Sequence, residues 1–188
     1  MAPYENTLRE VRAALEAARA GVDPYFDAPP EALGYRPADG GWTTAQVLEH
    51  ITLTSHFLMI VIRKSTAKAI QRAARSGAPE SGESDLALLA DIGRHGAFRW
   101  IRPEHMEPGE EPDLPAVRER FHQQLDECRG FLDAMPNGEG ALIQVRMSVN
   151  NSGKLDVYQW IYFLAQHALR HVTQMEGNRE EGGAESRR

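Results

Sequence analysis

LDVYQWIYFLAQHALRHVTQMEG, from Leu155 to Gly177, is the stretch that decides the fold. Its apolar positions Val157, Trp160, Ile161, Leu164, Ala168, Val172 and Met175 recur at steps of three and four, which gives a helix with one core-facing stripe. His167 and His171 fall inside that stripe, so both imidazoles point into the protein. Residues four apart are offset by only about 40° around a helix axis, so the two rings can grip one ion from the same face. Asp156 with Gln159 three residues on forms an Asp version of the capping box, and Leu155 and Trp160 stand at hydrophobic-staple positions. Gly177 followed by Asn178 supplies an exit.

Outward from this helix, Trp42 to Val47 carries the sharpest start signal in the chain. Thr43 is a cap, Gln46 closes its box, and Trp42 can staple onto Val47. The helix it opens runs to about Ser76, with His50 inside the stripe Val47, Ile51, Phe57, Leu58, Val61 and Ile62. His56 lies about 120° round from His50 and falls outside any shared site. A first helix is expected from Thr7 to about Ala20, capped by Thr7 and Glu10. A third is expected from Leu114 to about Met135, capped by Asp113 and striped by Leu114, Val117, Phe121, Leu125, Cys128 and Leu132. Residues 21–41, rich in proline and glycine, read as a connection. Residues 77–113 read as a crossover with one short helix near Leu86 to Ile92. Ile143, Val145 and Met147 alternate with polar residues as in a short extended segment.

Four amphipathic helices with one long crossover between the second and third predict an all-α four-helix bundle. At 188 residues with 41% hydrophobic and 26% charged side chains, a single domain over residues 1–178 is expected, followed by a polar, disordered tail over 179–188. A formal charge of -6 disfavours broad attachment to nucleic acid or anionic lipid. The one cysteine, Cys128, excludes an internal disulfide and fits a reducing compartment. No signal peptide or stretch of membrane-spanning length is apparent, so a cytoplasmic location is expected.

His50, His167 and His171 are the three histidines on core-facing stripes. Three neutral imidazoles with a fourth position left to water or substrate suit a catalytic rather than a structural metal site. The softness of the donors admits zinc, nickel, cobalt or iron. The competing reading is of buried histidines that are simply hydrogen-bonded. Cys128 stands on a helix of the same bundle and could close the fourth position, although a small buried hydrophobe is its commoner role. Gln46 and Glu49 read as a cap and a solvated charge. Arg170, at the border of the buried face, suits either an anionic substrate or a carboxylate from helix three. His105 and His122 read as surface residues, and His95 has no assigned place.

WTTAQVLEH, with Trp42 and His50, followed about a hundred residues later by Gln159-Trp160, His167, His171 and Gln174-Met175-Glu176, resembles the DinB/YfiT-like family of bacterial bundle proteins. The resemblance implies a divalent transition metal held by His50, His167 and His171, with zinc or nickel foremost and cobalt, iron or manganese as alternatives. It also implies a homodimer. Family members include thiol-dependent transferases that use bacillithiol or mycothiol and a mycothiol-dependent isomerase. The expected function is therefore a metal-dependent S-transferase acting on an electrophilic substrate with a small-molecule thiol. A metal-dependent hydrolase and a non-catalytic metal-binding stress-response protein are the alternatives.

Overall fold

A computed structural model of the protein describes residues 3–97, 103–149 and 152–185. Among them are four long helices, α1 (Glu5–Val22), α3 (Thr44–Ser76), α4 (Leu114–Ala134) and α5 (Val157–Glu185), and one short helix, α2 (Pro30–Gly34). α5 packs against both α1 and α3, and α4 packs against the same two helices from the other side. The expected all-α bundle with a long crossover is therefore the observed architecture, to which a two-stranded hairpin is added.

Caps explain where the central helices begin. The Thr43 hydroxyl accepts from the Gln46 amide at 3.2 Å, and Gln46 Oε1 accepts from the Thr43 amide at 3.1 Å. Asp156 and Gln159 form the same reciprocal pair, at 2.9 Å in both directions, and Asp113 accepts from the Ala116 amide at 3.2 Å. Each arrangement satisfies donors that a helix start leaves without an internal partner. The Thr7–Glu10 box is not formed. α1 starts earlier, at Glu5, which frees the Thr7 hydroxyl to accept from the Ser84 amide at 3.0 Å.

Four expectations are corrected in the connections and at the C-terminal end. Residues 21–41 hold a 3-10 turn at Asp23–Asp27 as well as α2, each with proline in its first turn. Arg118 of α4 fastens that turn with bonds of 3.0 Å to Asp23 and 2.7 Å to Asp27. Leu155 and Asp156 belong not to the helix but to β2 (Gly153–Asp156), which pairs antiparallel with β1 (Gln144–Met147) in the register Val145 opposite Leu155. The last helix does not stop at Gly177, and residues 179–185 are helical rather than a disordered tail. The reason lies in tertiary contacts: Asn178 donates to the Trp42 carbonyl at 2.9 Å, and Glu181 accepts from the Ala38 amide at 2.9 Å. The polar C-terminal turns thus hold the strap that leads into α3. Residues 186–188 lie outside the described residues, as does Arg102 at the start of the proline-bearing loop of the crossover. That crossover contributes 3-10 turns at Leu86–Leu89 and Glu104–Met106 in place of one short helix.

The core joins Leu48, Ile51, Met59 and Ile62 of α3, Leu125, Cys128 and Leu132 of α4 and Ile161, Leu164 and Ala168 of α5, all at 2% exposure or less. Each buried Leu or Ile contributes about 1.5–3 kcal/mol. α3 is, against the expectation from the sequence, long and apolar enough to cross a membrane, but 61% of its most apolar window is buried inside the bundle. Cys128 lies with its sulfur 3.4 Å from Met59 Sδ, and burial pushes its thiol up to about 12. It behaves as a small hydrophobe of the core.

Replacing Asp156 removes both the α5 cap and the 2.6 Å bond from the Ser84 hydroxyl. Asp156→Ala is expected to lower the unfolding free energy by about 1–2 kcal/mol, measured by urea denaturation. A change below a few tenths would show that the cap does not anchor α5.

Candidate metal centre

α3 contributes His50 and α5 contributes His167 and His171. Three and four residues separate each of these from its apolar neighbours on the stripe, so the helical period turns all three rings into the bundle. They are 5%, 2% and 7% exposed. One ring nitrogen from each lies within 4.8 Å of the others, and no further His, Cys, Asp or Glu among the described residues joins the group. The structure thus brings together the three histidines singled out from the sequence. It leaves Cys128 apart, beside Met59, which is nine residues or about 13 Å along α3 from His50.

The second nitrogen of two rings has a defined acceptor. His50 Nδ1 donates to the Met106 carbonyl at 2.8 Å, and His171 Nδ1 donates to Gln174 Oε1 at 2.8 Å. An imidazole that donates from Nδ1 presents a lone pair at Nε2, so these bonds set both tautomer and ring orientation. His171 Nε2 and His167 Nε2 face each other at 3.2 Å. Two nitrogens bound tetrahedrally to one ion at 2.0–2.1 Å stand about 3.3 Å apart. A single proton on His167 Nε2 would also satisfy that pair as a hydrogen bond. His50 comes from another helix, with its ring centroid 4.9 Å from that of His171 and 5.3 Å from that of His167, and its Nε2 makes a long contact of 3.5 Å with the Thr54 hydroxyl. The donor set and its spacing fit one metal ion.

Burial, reinforced by the neighbouring imidazoles and the Arg170 cation, holds His167 well below its ordinary value. Burial likewise lowers His171 to about 3, with His50 adding to the effect. Both rings are neutral at pH 7, the state that ligation requires.

The cluster forms part of the wall of a cavity of about 600 Å³. Trp42, Phe57, Trp160 and Phe163 supply aromatic walls, and Met147, Ser148 and Val149 close it from the hairpin side. Trp42 lies 4.6 Å from the His50 ring, centroid to centroid. His95, unplaced from the sequence, lines the cavity, as does Arg170, whose Nη1 donates to the Arg94 carbonyl at 2.8 Å. His56 and His105 are exposed, with His105 packed against Phe57 at 4.3 Å. His122 is half-buried and bonds Asp23 at 2.7 Å, away from the cluster.

Glu49 departs from the sequence reading. Its Oε2 accepts from the Gly109 amide at 2.7 Å, and Gln46 Nε2 donates to the Gly109 carbonyl at 3.1 Å in addition to its capping bond. The two side chains pin the loop that carries the Met106 carbonyl to His50. Nothing in the crossover sequence announced that carbonyl, whereas Gln174, three residues after His171, was visible as a helical neighbour.

A helical bundle with three inward imidazoles beside an apolar cavity defines a class of bundle protein able to hold a metal ion. The particular family follows from comparison: the chain belongs to the DinB superfamily, whose family model matches residues 7–175. No curated protein and no solved structure matches the chain.

The lowered histidines set the acid response of the chelator-treated protein. The unfolded chain takes up a proton at position 171 near pH 6.5, whereas the folded chain does so only near pH 3. Stability therefore falls as pH drops below about 6.5, by about 2 kcal/mol between pH 7 and 5 for this one group. Urea midpoints measured over that range should show the fall, and His171→Asn should reduce it, with the lowered His167 supplying what remains. A pH-independent wild type would contradict the neutral buried ring.

Proposed function

We propose that the protein is a divalent-metal-dependent S-transferase in which His50, His167 and His171 hold one metal and a low-molecular-weight thiol takes the remaining position. The observation that carries this reading is the three-donor cluster beside the 600 Å³ cavity, with no fourth protein donor in the group. A bound divalent metal lowers the pKa of a thiol or water that shares it. The chain's own residues hold the donors and shape the space. The Met106 carbonyl and Gln174 fix two rings, while Trp160 and Phe163 keep water from the deep side. Zinc and nickel suit three neutral imidazoles best.

The walls favour transfer over hydrolysis. A hydrolase needs a group placed to receive a proton from water; no Asp or Glu lines the cavity among the described residues, which leaves His95 for that role. A thiol held by such a metal would lose its proton to solvent on binding and so would not depend on a carboxylate base. A homodimer accompanies this reading on family grounds, tested by light scattering against the 21.0 kDa chain mass.

Protein purified without a histidine tag is expected to carry about one transition metal per chain by elemental analysis, and His171→Ala to lose most of it. Glu49→Ala, which frees the Gly109 loop, is expected to weaken zinc binding by about tenfold in a competition titration. Absence of metal even after incubation with zinc or nickel would refute the centre. With metal present, turnover of a generic alkylating electrophile should depend on bacillithiol, mycothiol or glutathione. No thiol dependence would move the assignment to the hydrolase or to a non-catalytic binder.

A further inference from the structure

The walls of the cavity carry an uneven charge. Asp and Glu outnumber Lys and Arg in the chain, 27 to 21, yet no carboxylate lines the cavity among the described residues, whereas Arg170 and His95 both do. Arg170 follows His167 by three residues and immediately precedes His171, so its helix delivers the guanidinium to the rim of the histidine cluster. Its described hydrogen bond, to the Arg94 carbonyl, uses Nη1 and anchors the head at the edge of the crossover. A guanidinium has five N–H donors in a planar fork that matches a carboxylate. Most of the remaining wall is hydrocarbon and aromatic, with Trp42, Phe57, Trp160 and Phe163 among its residues, and Thr54, Ser148 and Gln174 add neutral polar groups beside the histidine cluster.

We propose that this cavity binds a small organic acid, its carboxylate on Arg170 and its apolar body against the aromatic walls. Arg170 is half-buried in the cavity wall, so its guanidinium faces a partly apolar space in which an arriving anion is favoured. Three neutral imidazoles add no negative charge, so a dication held by them would deepen the same preference. A largely apolar wall with one guanidinium suits a singly charged amphipathic ligand. As the substrate class of the proposed transferase, this rests on that reading; as a binding property of the cavity, it stands without the metal.

The test uses octanoate and its neutral counterpart 1-octanol, titrated calorimetrically and by the fluorescence of Trp42 and Trp160 into chelator-treated and zinc-loaded protein. Octanoate is expected to bind the chelator-treated protein at least about tenfold more tightly than octanol. Arg170→Gln should remove that preference and leave octanol binding unchanged, while Arg170→Lys, which keeps the charge, should retain part of it. Equal binding of the two ligands, or a preference that survives Arg170→Gln, would overturn the proposal. Should the Gln variant not fold, the Lys variant keeps the proposal testable: a folded Arg170→Lys protein that binds octanoate no more tightly than octanol would overturn it. Metal content is read separately by elemental analysis. Protein without metal that still discriminates octanoate would refute the centre alone, and zinc-binding protein that does not discriminate after chelation would refute the acid site alone.

Discussion

Three imidazoles packed within a few ångströms of one another in an apolar bundle cannot all carry protons, and the rest of the site follows from keeping them neutral and aimed. Charging any one of them would place a cation in a poorly solvated setting beside others. Burial and mutual proximity therefore act in the same direction, as the lowered His167 and His171 show. Neutrality alone does not orient a ring. Orientation comes from the Nδ1 bonds of His50 and His171 to Met106 and Gln174, and the Met106 carbonyl in turn depends on the grip of Glu49 and Gln46 on Gly109. A chain of hydrogen bonds thus runs from the first turns of α3, through the crossover, back to a donor on α3 itself.

The parts of this arrangement that repeat with helical period were legible in the sequence. Stripes on α3 and α5 placed His50, His167 and His171 on the inside because burial of the neighbouring Val47, Ile51, Leu164 and Ala168 leaves those positions no other direction. Thr43, Asp113 and Asp156 marked helix starts because their side chains satisfy amides that nothing else in the local chain can reach. What was not legible depends on partners distant in sequence. Glu49 reads as solvated until Gly109, sixty residues away, arrives beside it. The turns after Gly177 read as a loose tail because Asn178 and Glu181 look polar, and only the strap at Ala38 and Trp42 gives them something to hold. Leu155 and Asp156 fit a helix start by capping logic and a strand by pairing, and they serve as both: the strand ends where the cap begins.

The long α5 links these levels. Its first turn is fixed by the Asp156–Gln159 pair at the end of the hairpin, its middle carries two of the three donors, and its last turns tie down the strap that ends at the Trp42 beside His50. A shift of α5 along its axis would therefore disturb the cap, the histidine pair and the Trp42–His50 contact together. Packing of this kind makes position along the helix an all-or-none property, which is what a site needing donors placed to a few tenths of an ångström requires.

The division of labour between helices and connections then bears on how the fold can change its chemistry. The donors are on helices, where burial and the helical period hold them. Much of the cavity wall is not: Pro103 and Met106 come from the crossover, and Met147, Ser148 and Val149 from the hairpin and its turn. Connections of this sort tolerate changes of length and sequence that a packed helix does not. Reshaping them alters what the cavity admits while leaving the three imidazoles in place, except at Met106, whose carbonyl serves both the wall and His50. The crossover is accordingly constrained in backbone at that residue and at Gly109, and in side chains where Leu86, Leu89 and Ile92 enter the core. Arg170 is the counterpart on the helical side, a wall residue whose position cannot drift because His171 is its immediate neighbour. In the proposed acid site, selectivity for charge would thereby be tied to the histidine helix, and selectivity for shape left to the connections.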